Sequence, residues 1–220
     1  MGASPAAPVF ARAVLVSCAA AVLSGCVPYA VGETPRTVPE REVEPSATVQ
    51  IASARRDIDR GDRANRPTFA LSNEARLGLD DVSDVGVRLT GFGLSATYKR
   101  RLSGAGDDGL SLIAGGGVVG RSHLHWEATV VGSGALPGSE RVVPYYGARA
   151  QGLVAFSDDA ADVSPAVGGF LGARIGWPDL ALTPELGVFY SPSPTLSDSP
   201  WIVVPSVTVR GERLVKALGL

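Results

Sequence analysis

The sequence predicts an all-β protein, an antiparallel up-and-down β-barrel of eight to ten strands. Three observations predict it. Apolar and polar residues alternate with a period of two in segment after segment, as they do on strands with two unlike faces. Clusters of Gly, Pro, Asp and Ser separate these segments, and no sustained i, i+3, i+4 pattern competes with them. The candidate strands come to an even number on either count, so both chain ends return to the same end of the barrel.

Residues 47–54 place Val49 and Ile51 opposite Thr48 and Gln50, and a charged loop of mixed sign runs from Arg55 to Arg66. Residues 68–79 set Phe69, Leu71, Ala75 and Leu77 against Ser72, Glu74 and Arg76, and residues 80–84 form a turn. Val85, Val87 and Leu89 oppose Arg88; Phe92, Leu94, Ala96 and Tyr98 oppose Ser95, Thr97, Lys99 and Arg101. Ser103 to Asp108 is a turn, 109–120 a glycine-rich strand, and 123–131 sets Leu124, Trp126, Ala128 and Val130 against His123, His125, Glu127 and Thr129. After a Gly/Pro loop, Tyr146, Ala148, Ala150, Val154 and Phe156 oppose Tyr145, Arg149 and Gln151. Val163, Val167, Leu171, Ala173, Ile175 and Trp177 oppose Ser164, Gly168, Gly172 and Arg174, up to a tight turn at Pro178-Asp179. Leu180, Leu182, Leu186, Val188 and Tyr190 oppose Thr183, Glu185 and Gly187. A Ser/Pro loop spans 191–200, and Trp201, Val203, Val207 and Val209 oppose Ser206, Thr208, Arg210 and Glu212.

The apolar face changes parity across Thr90-Gly91. A two-residue hairpin loop there would set Leu89 opposite Phe92 and Val87 opposite Leu94; a bulge inside one long strand would also flip it. This choice separates ten strands from eight. With an even count, the turns at 80–84, 103–108 and 177–179 share the end of the chain termini, and the longer connections at 55–66 and 191–200 share the other.

The N-terminus carries a separate signal. Arg12 precedes an apolar run from Ala13 to Leu23 that closes on Leu23-Ser24-Gly25-Cys26. This is the layout of a lipoprotein signal peptide: small residues admit the processing peptidase, and the Cys26 thiol takes the lipid. The run is shorter than the roughly 20 residues of a membrane helix. Residues 1–25 are therefore expected to be removed, and 26–46, with Pro28, Pro35, Pro39 and Pro45 among glutamates, to act as a lipidated tether. The barrel is expected over 47–214, with a tail at 215–220. The cysteines are Cys18, in the leader, and Cys26, so no disulfide is expected. A net charge of −2 gives no footprint for nucleic acid.

Alternation leaves two barrels open. A soluble, lipocalin-like barrel turns its apolar face inward around a small apolar ligand; a membrane barrel turns it outward to hydrocarbon. Large aromatics near strand ends (Phe69, Tyr98, Phe156, Trp177, Tyr190 and Trp201) fit interfacial girdles. The polar face is mainly Gly, Ser and Thr with some arginines, whereas soluble surfaces carry more Lys and Glu; the only lysines are Lys99 and Lys216. The lipobox, the short tether and Gly-rich strands such as Val85-Gly86-Val87-Arg88-Leu89 together resemble small bacterial outer-membrane β-barrel proteins. That resemblance implies an outer-membrane location and a structural or passive role. Such families usually end on an aromatic residue, whereas this chain ends at Leu220.

On the membrane reading the polar face lines a lumen. Its candidates are Arg88, Arg149, Arg174, Glu185 and Arg210, within a wider set of Arg76, Lys99, Arg101 and Arg121 against Glu74, Glu127 and Glu212. Arg–Glu pairs plugging a narrow barrel are expected over an anion-attracting pore, since so few strands leave little room for water. His123, His125 and Glu127 point the same way at about 7 Å spacing. They could hold a divalent metal or assist a serine in a lipid hydrolase, but polar lumen residues explain them as well. No metal, cofactor or catalytic residue is expected. Gly115-Gly116-Gly117 is followed by no helix and is not read as a phosphate loop.

Overall fold

The computed structural model describes residues 28–52, 68–91, 93–120, 122–134, 139, 141–156, 163–177, 179–192, 200–211 and 213. Ten antiparallel strands close into a single barrel: β1 (Val43–Ala52), β2 (Thr68–Asp80), β3 (Ser83–Thr90), β4 (Gly93–Ser103), β5 (Gly109–Val119), β6 (His123–Ser133), β7 (Val142–Ala155), β8 (Val163–Trp177), β9 (Leu180–Tyr190) and β10 (Trp201–Arg210). Each strand pairs with its neighbours in sequence, and β1 pairs with β10 to close the sheet. Closure leaves no free sheet edge.

The parity change at Thr90-Gly91 is a hairpin, with a corrected register. Leu89 faces Leu94, Val87 faces Ala96 and Thr90 faces Gly93, in place of the expected Leu89–Phe92 and Val87–Leu94 pairs. Gly91 has φ of +42°, a left-handed value that glycine takes without strain. Thr90 is β-branched and stays in the strand, so the turn moves one residue along. Phe92 itself lies outside the described residues, as do Leu23, Ser24, Gly25, Cys26, Arg121, Glu212 and the tail at 215–220.

The alternating apolar residues form the outer wall. Leu171, Phe69 and Tyr146 are each 64% exposed, and Leu89, Val167, Leu94 and Val87 are more than half exposed. On β9, Leu180, Leu182, Leu186, Val188 and Tyr190 all face out. Ten residue steps at about 3.3 Å, tilted by about 40°, span roughly 25 Å, the height of an outer-membrane apolar band. Aromatics mark both rims. Phe69, Phe156, Tyr190 and Trp201 sit at the end where β1 finishes, with Tyr190 and Trp201 edge to face at 5.2 Å. Tyr146 and Trp177 sit toward the opposite end, where Arg141 stacks 4.4 Å from the Trp177 ring. Asn73 is the polar exception on the outward face of β2.

The inward face holds the polar residues, and it also holds aromatics that alternation did not separate from them. Tyr145, Phe170 and Phe189 are buried inside. Each faces a glycine across the ladder: Tyr145 on Gly172, Phe170 on Gly147, Phe189 on Gly168. A Cβ on Gly172 would lie 2.5 Å from the Tyr145 ring, so a larger residue there would displace it.

Residues 28–38 differ most from the tether expected of them. They run inside the barrel, and all but Arg36 are buried. The barrel itself begins at Val43, earlier than residue 47. After leaving the lumen the chain reverses at residues 39–42, where Arg41 has φ of +65°. Arg41 N–H donates to Gly78 O at 3.0 Å and Gly78 N–H donates to Glu42 O at 3.1 Å. A Cβ at Gly78 would meet Pro39 O at 1.9 Å, so this reversal admits only glycine there.

There is a geometric reason for the internal chain. An eight-stranded barrel is just filled by its own inward side chains. Two further strands, each about 4.8 Å from its neighbour and tilted, widen the barrel by roughly 4 Å. That increment is about the thickness of one extended chain.

Candidate functional site

The lumen is the candidate site, and the internal segment organises it. At the end where β1 finishes, Tyr29 packs its ring 5.1 Å from Phe189 among Ala52, Val119, Leu153, Ala166, Ile202 and Val204. The Tyr29 and Ala30 amides donate to Gln50 Oε1 at 3.0 and 2.9 Å. One step further, the amides of Val31 and Gly32 donate to the two oxygens of Glu185 at 2.9 and 2.8 Å, and Tyr145 donates its hydroxyl to the same carboxylate at 2.9 Å. Glu185 thus holds the segment as a neighbouring strand would, through paired backbone donors.

Glu33 is the electrostatic centre. Its Oε1 lies 3.2 Å from Arg76 Nη1 and 3.5 Å from Arg210 Nη2, and its Oε2 accepts from Lys99 Nζ at 2.9 Å. Arg76 also donates to Asp84 at 2.7 Å and Glu74 at 2.5 Å, and Arg210 donates to Glu44 at 2.8 Å. Beyond Glu33, Thr34 donates its hydroxyl to Asp107 at 2.8 Å, Ser111 donates to Pro35 O at 2.6 Å and Lys99 donates to Arg36 O at 2.5 Å. The Val38 amide ends the passage on Asp84 at 3.0 Å.

A second carboxylate network lies on the wall. Arg88 donates to Glu74 through Nε and Nη2 at 3.1 and 2.9 Å and reaches Glu127 at 3.3 Å. Arg149 pairs with Glu127 and donates to Ala30 O at 3.1 Å, joining the wall to the segment. Gly86 on β3 makes room for the cluster around Glu74. A Cβ there would lie 2.5 Å from Glu74 Oε1 and 2.7 Å from Arg76 Nη1.

Arg88, Arg149, Arg174, Glu185 and Arg210 therefore all point into the lumen and all are buried. The structure joins Arg88 to Arg149 through Glu127, and joins Glu185 and Arg210 through the internal segment. Arg174 stands apart at the mouth near the reversal, paired with Asp107 at 2.7 Å. Beside it a cavity of about 10 Å³, lined by Thr34, Arg36, Glu44, Asp107, Arg174 and Arg210 among others, has room for one water. Arg101 lies at a strand end, half-exposed, and donates to Asp81 O.

No family model matches the chain, and no curated protein matches it. Among solved structures the chain is similar to Neisserial surface protein A (NspA), with 17% identity over 77% of this chain and 96% of that one, at a TM-score of 0.41. It is similar to an outer membrane channel from Pseudomonas putida F1, with 11% identity over 80% and 97% of the two chains and a TM-score of 0.48. It is also similar to the outer membrane protein OprG from Pseudomonas aeruginosa, with 11% identity over 78% and 97% and a TM-score of 0.31.

The four groups that complete the lumen were not among the sequence candidates. Glu33 and Glu44 fell within the expected tether, and Asp84 and Asp107 within expected turns. One signal did point to them. The lumen residues read from the sequence were mostly basic, and a buried surplus of cations demands anions from somewhere.

His123, His125 and Glu127 face the lumen together and are buried. Glu127 is engaged by two guanidiniums, and His125 Nε2 lies 3.9 Å from it, beyond hydrogen-bond reach. Ser122 Oγ lies 3.0 Å from His123 Nδ1, on the neighbouring residue. Among the described residues no group of three His, Cys, Asp or Glu side chains is placed to hold a metal ion.

Proposed function

We propose that this chain is a lipid-anchored outer-membrane β-barrel protein with a structural or passive, non-catalytic role, sealed by its own N-terminal segment. The sealing carries the reading. Residues 28–38 occupy the lumen from one end to the other, and every carboxylate they meet or bring accepts a hydrogen bond or an ion pair. A pore needs a water path, and a ligand-binding barrel of the lipocalin kind needs a vacant apolar interior; this interior is filled, its apolar clusters by Tyr29 and Val31 of the segment and the rest by paired polar groups. The outer wall supports membrane placement: an uncharged apolar band between two aromatic rims is costly in water and suited to hydrocarbon. The lipid anchor is assigned to Cys26 on the strength of the Leu23-Ser24-Gly25-Cys26 signal.

Two measurements test this. An environment-sensitive dye on Leu171→Cys should be quenched by lipid-borne quenchers, while the same dye on Asp179→Cys, in a turn, should not. Equal indifference at both positions, with release of Cys26→Ala into carbonate washes, would show a soluble barrel. Labelled palmitate fed to cells should mark the wild type and leave Cys26→Ala unmarked; label surviving the substitution would remove Cys26 as the anchor.

A further inference from the structure

We propose that the N-terminal segment passes outward through the lumen, so that everything ahead of Pro28, including Cys26 and any acyl chains it carries, stands on the external face of the membrane. The proposal rests on the outer-membrane reading above, and adds to it the side on which the chain's N-terminal end emerges.

The direction of the segment is fixed by its partners. Tyr29 and Ala30 bond Gln50, near the end of β1, and Tyr29 packs among the last residues of β5, β7 and β9 and the first of β8 and β10. Thr34, Thr37 and Val38 bond Asp107, Asp81 O and Asp84, at the opposite end of the barrel. The contacts between them follow in order, Glu185 before Glu33's cations. The passage from Tyr29 to Val38 can cover up to roughly 30 Å at about 3.3 Å per residue, and its contacts run from one mouth to the other. The N-terminal end of this segment and the C-terminal end of β10 therefore lie at opposite mouths.

Connection lengths say which mouth is external. The mouth beside Val38 is bounded by connections at 81–82, 104–108, 134–141 and 178–179. The mouth beside Tyr29 is bounded by 53–67, 91–92, 120–122, 156–162 and 191–200, which include the two longest. Outer-membrane barrels keep short turns on the periplasmic side and long loops outside. Cys26 is two residues from Pro28, within about 7 Å along the chain. Acyl chains there would enter the outer leaflet beside the barrel, and not the inner leaflet that a periplasmic tether would reach.

The test is labelling of single cysteines on intact and on permeabilised cells with a membrane-impermeant maleimide. Pro192→Cys, at an exposed position just past β9, reports the Tyr29 mouth. Asp179→Cys reports the Val38 mouth, and Val27→Cys the chain ahead of the lumen; wild type is the blank for Cys26. Val27→Cys should label on intact cells as Pro192→Cys does, with Asp179→Cys labelling only after permeabilisation. Val27→Cys behaving like Asp179→Cys would overturn the outward passage while leaving the membrane reading intact. If Pro192→Cys and Asp179→Cys exchange behaviour, the external assignment is wrong even though the segment still threads. If all three label alike, the membrane reading fails and takes the proposal with it. An epitope inserted between Val27 and Pro28, read by antibody on intact cells, gives the same decision should Val27→Cys not accumulate.

Discussion

Deleting residues 28–38 should turn a silent barrel into a conducting one. In planar bilayers the intact protein should insert without current steps, and the deletion should give discrete ones. The expectation follows from the width of ten strands and from what remains inside. With the segment gone, the lumen recovers roughly one chain's thickness. Its walls cannot close the gap by hydrophobic collapse, because Arg76, Lys99, Arg210 and Glu185 lose partners and draw water in. Silence in the deletion variant, with the barrel shown to be folded, would mean that the wall residues alone seal it.

Glu33→Ala should destabilise the barrel by about 3–5 kcal/mol, the usual cost of removing one partner from a buried ionic cluster. Three cations share this carboxylate, and Lys99 has no other carboxylate partner among the described contacts. Heat-modifiable migration on gels should report it as a lower unfolding temperature. Lys99→Met in the Glu33→Ala background should recover part of the loss, because it removes the stranded charge; the double-mutant cycle isolates that coupling. Glu40→Ala is the control. Its partner Arg41 is exposed, and the pair should contribute at most about 1 kcal/mol. Equal effects at Glu33 and Glu40 would mean that the lumen is wet enough to make its ion pairs interchangeable with surface ones.

Much of the wall was legible because a strand's two faces are written in alternate residues. Leu180 to Tyr190 could be sorted by parity alone, and the sorting holds in the barrel. The register at Thr90 was off by a residue on each strand because alternation fixes faces but not the turn; the strand preference of β-branched Thr90 decided it. Tyr145, Phe170 and Phe189 show the other limit. A lumen accepts a large ring wherever the cross-strand partner is glycine, and that pairing is visible only once register is known. The internal segment left no periodic trace, since residues 28–38 form neither helix nor strand. Prolines and glutamates read as a solvated tether, yet the same glutamates are what a basic lumen requires. The surplus of lumen cations was the one sequence-level sign that further groups had to enter the barrel.

The contact between the internal segment and the β1–β10 ladder sets an order of assembly. Gly32 lies against Thr208 so closely that a Cβ would fall 2.1 Å from its hydroxyl, and Arg210 donates to Gly32 O at 3.1 Å. Thr208 in turn meets Thr48 across the ladder at 2.8 Å, within the run from Ser46 to Gln50 that pairs with β10. A closed lumen this full gives no passage to a chain end. The segment has to be laid down while first and last strands are still apart, and β10 then docks on it as much as on β1. The barrel is wound around its own N-terminal segment, and the seam is the last thing to form.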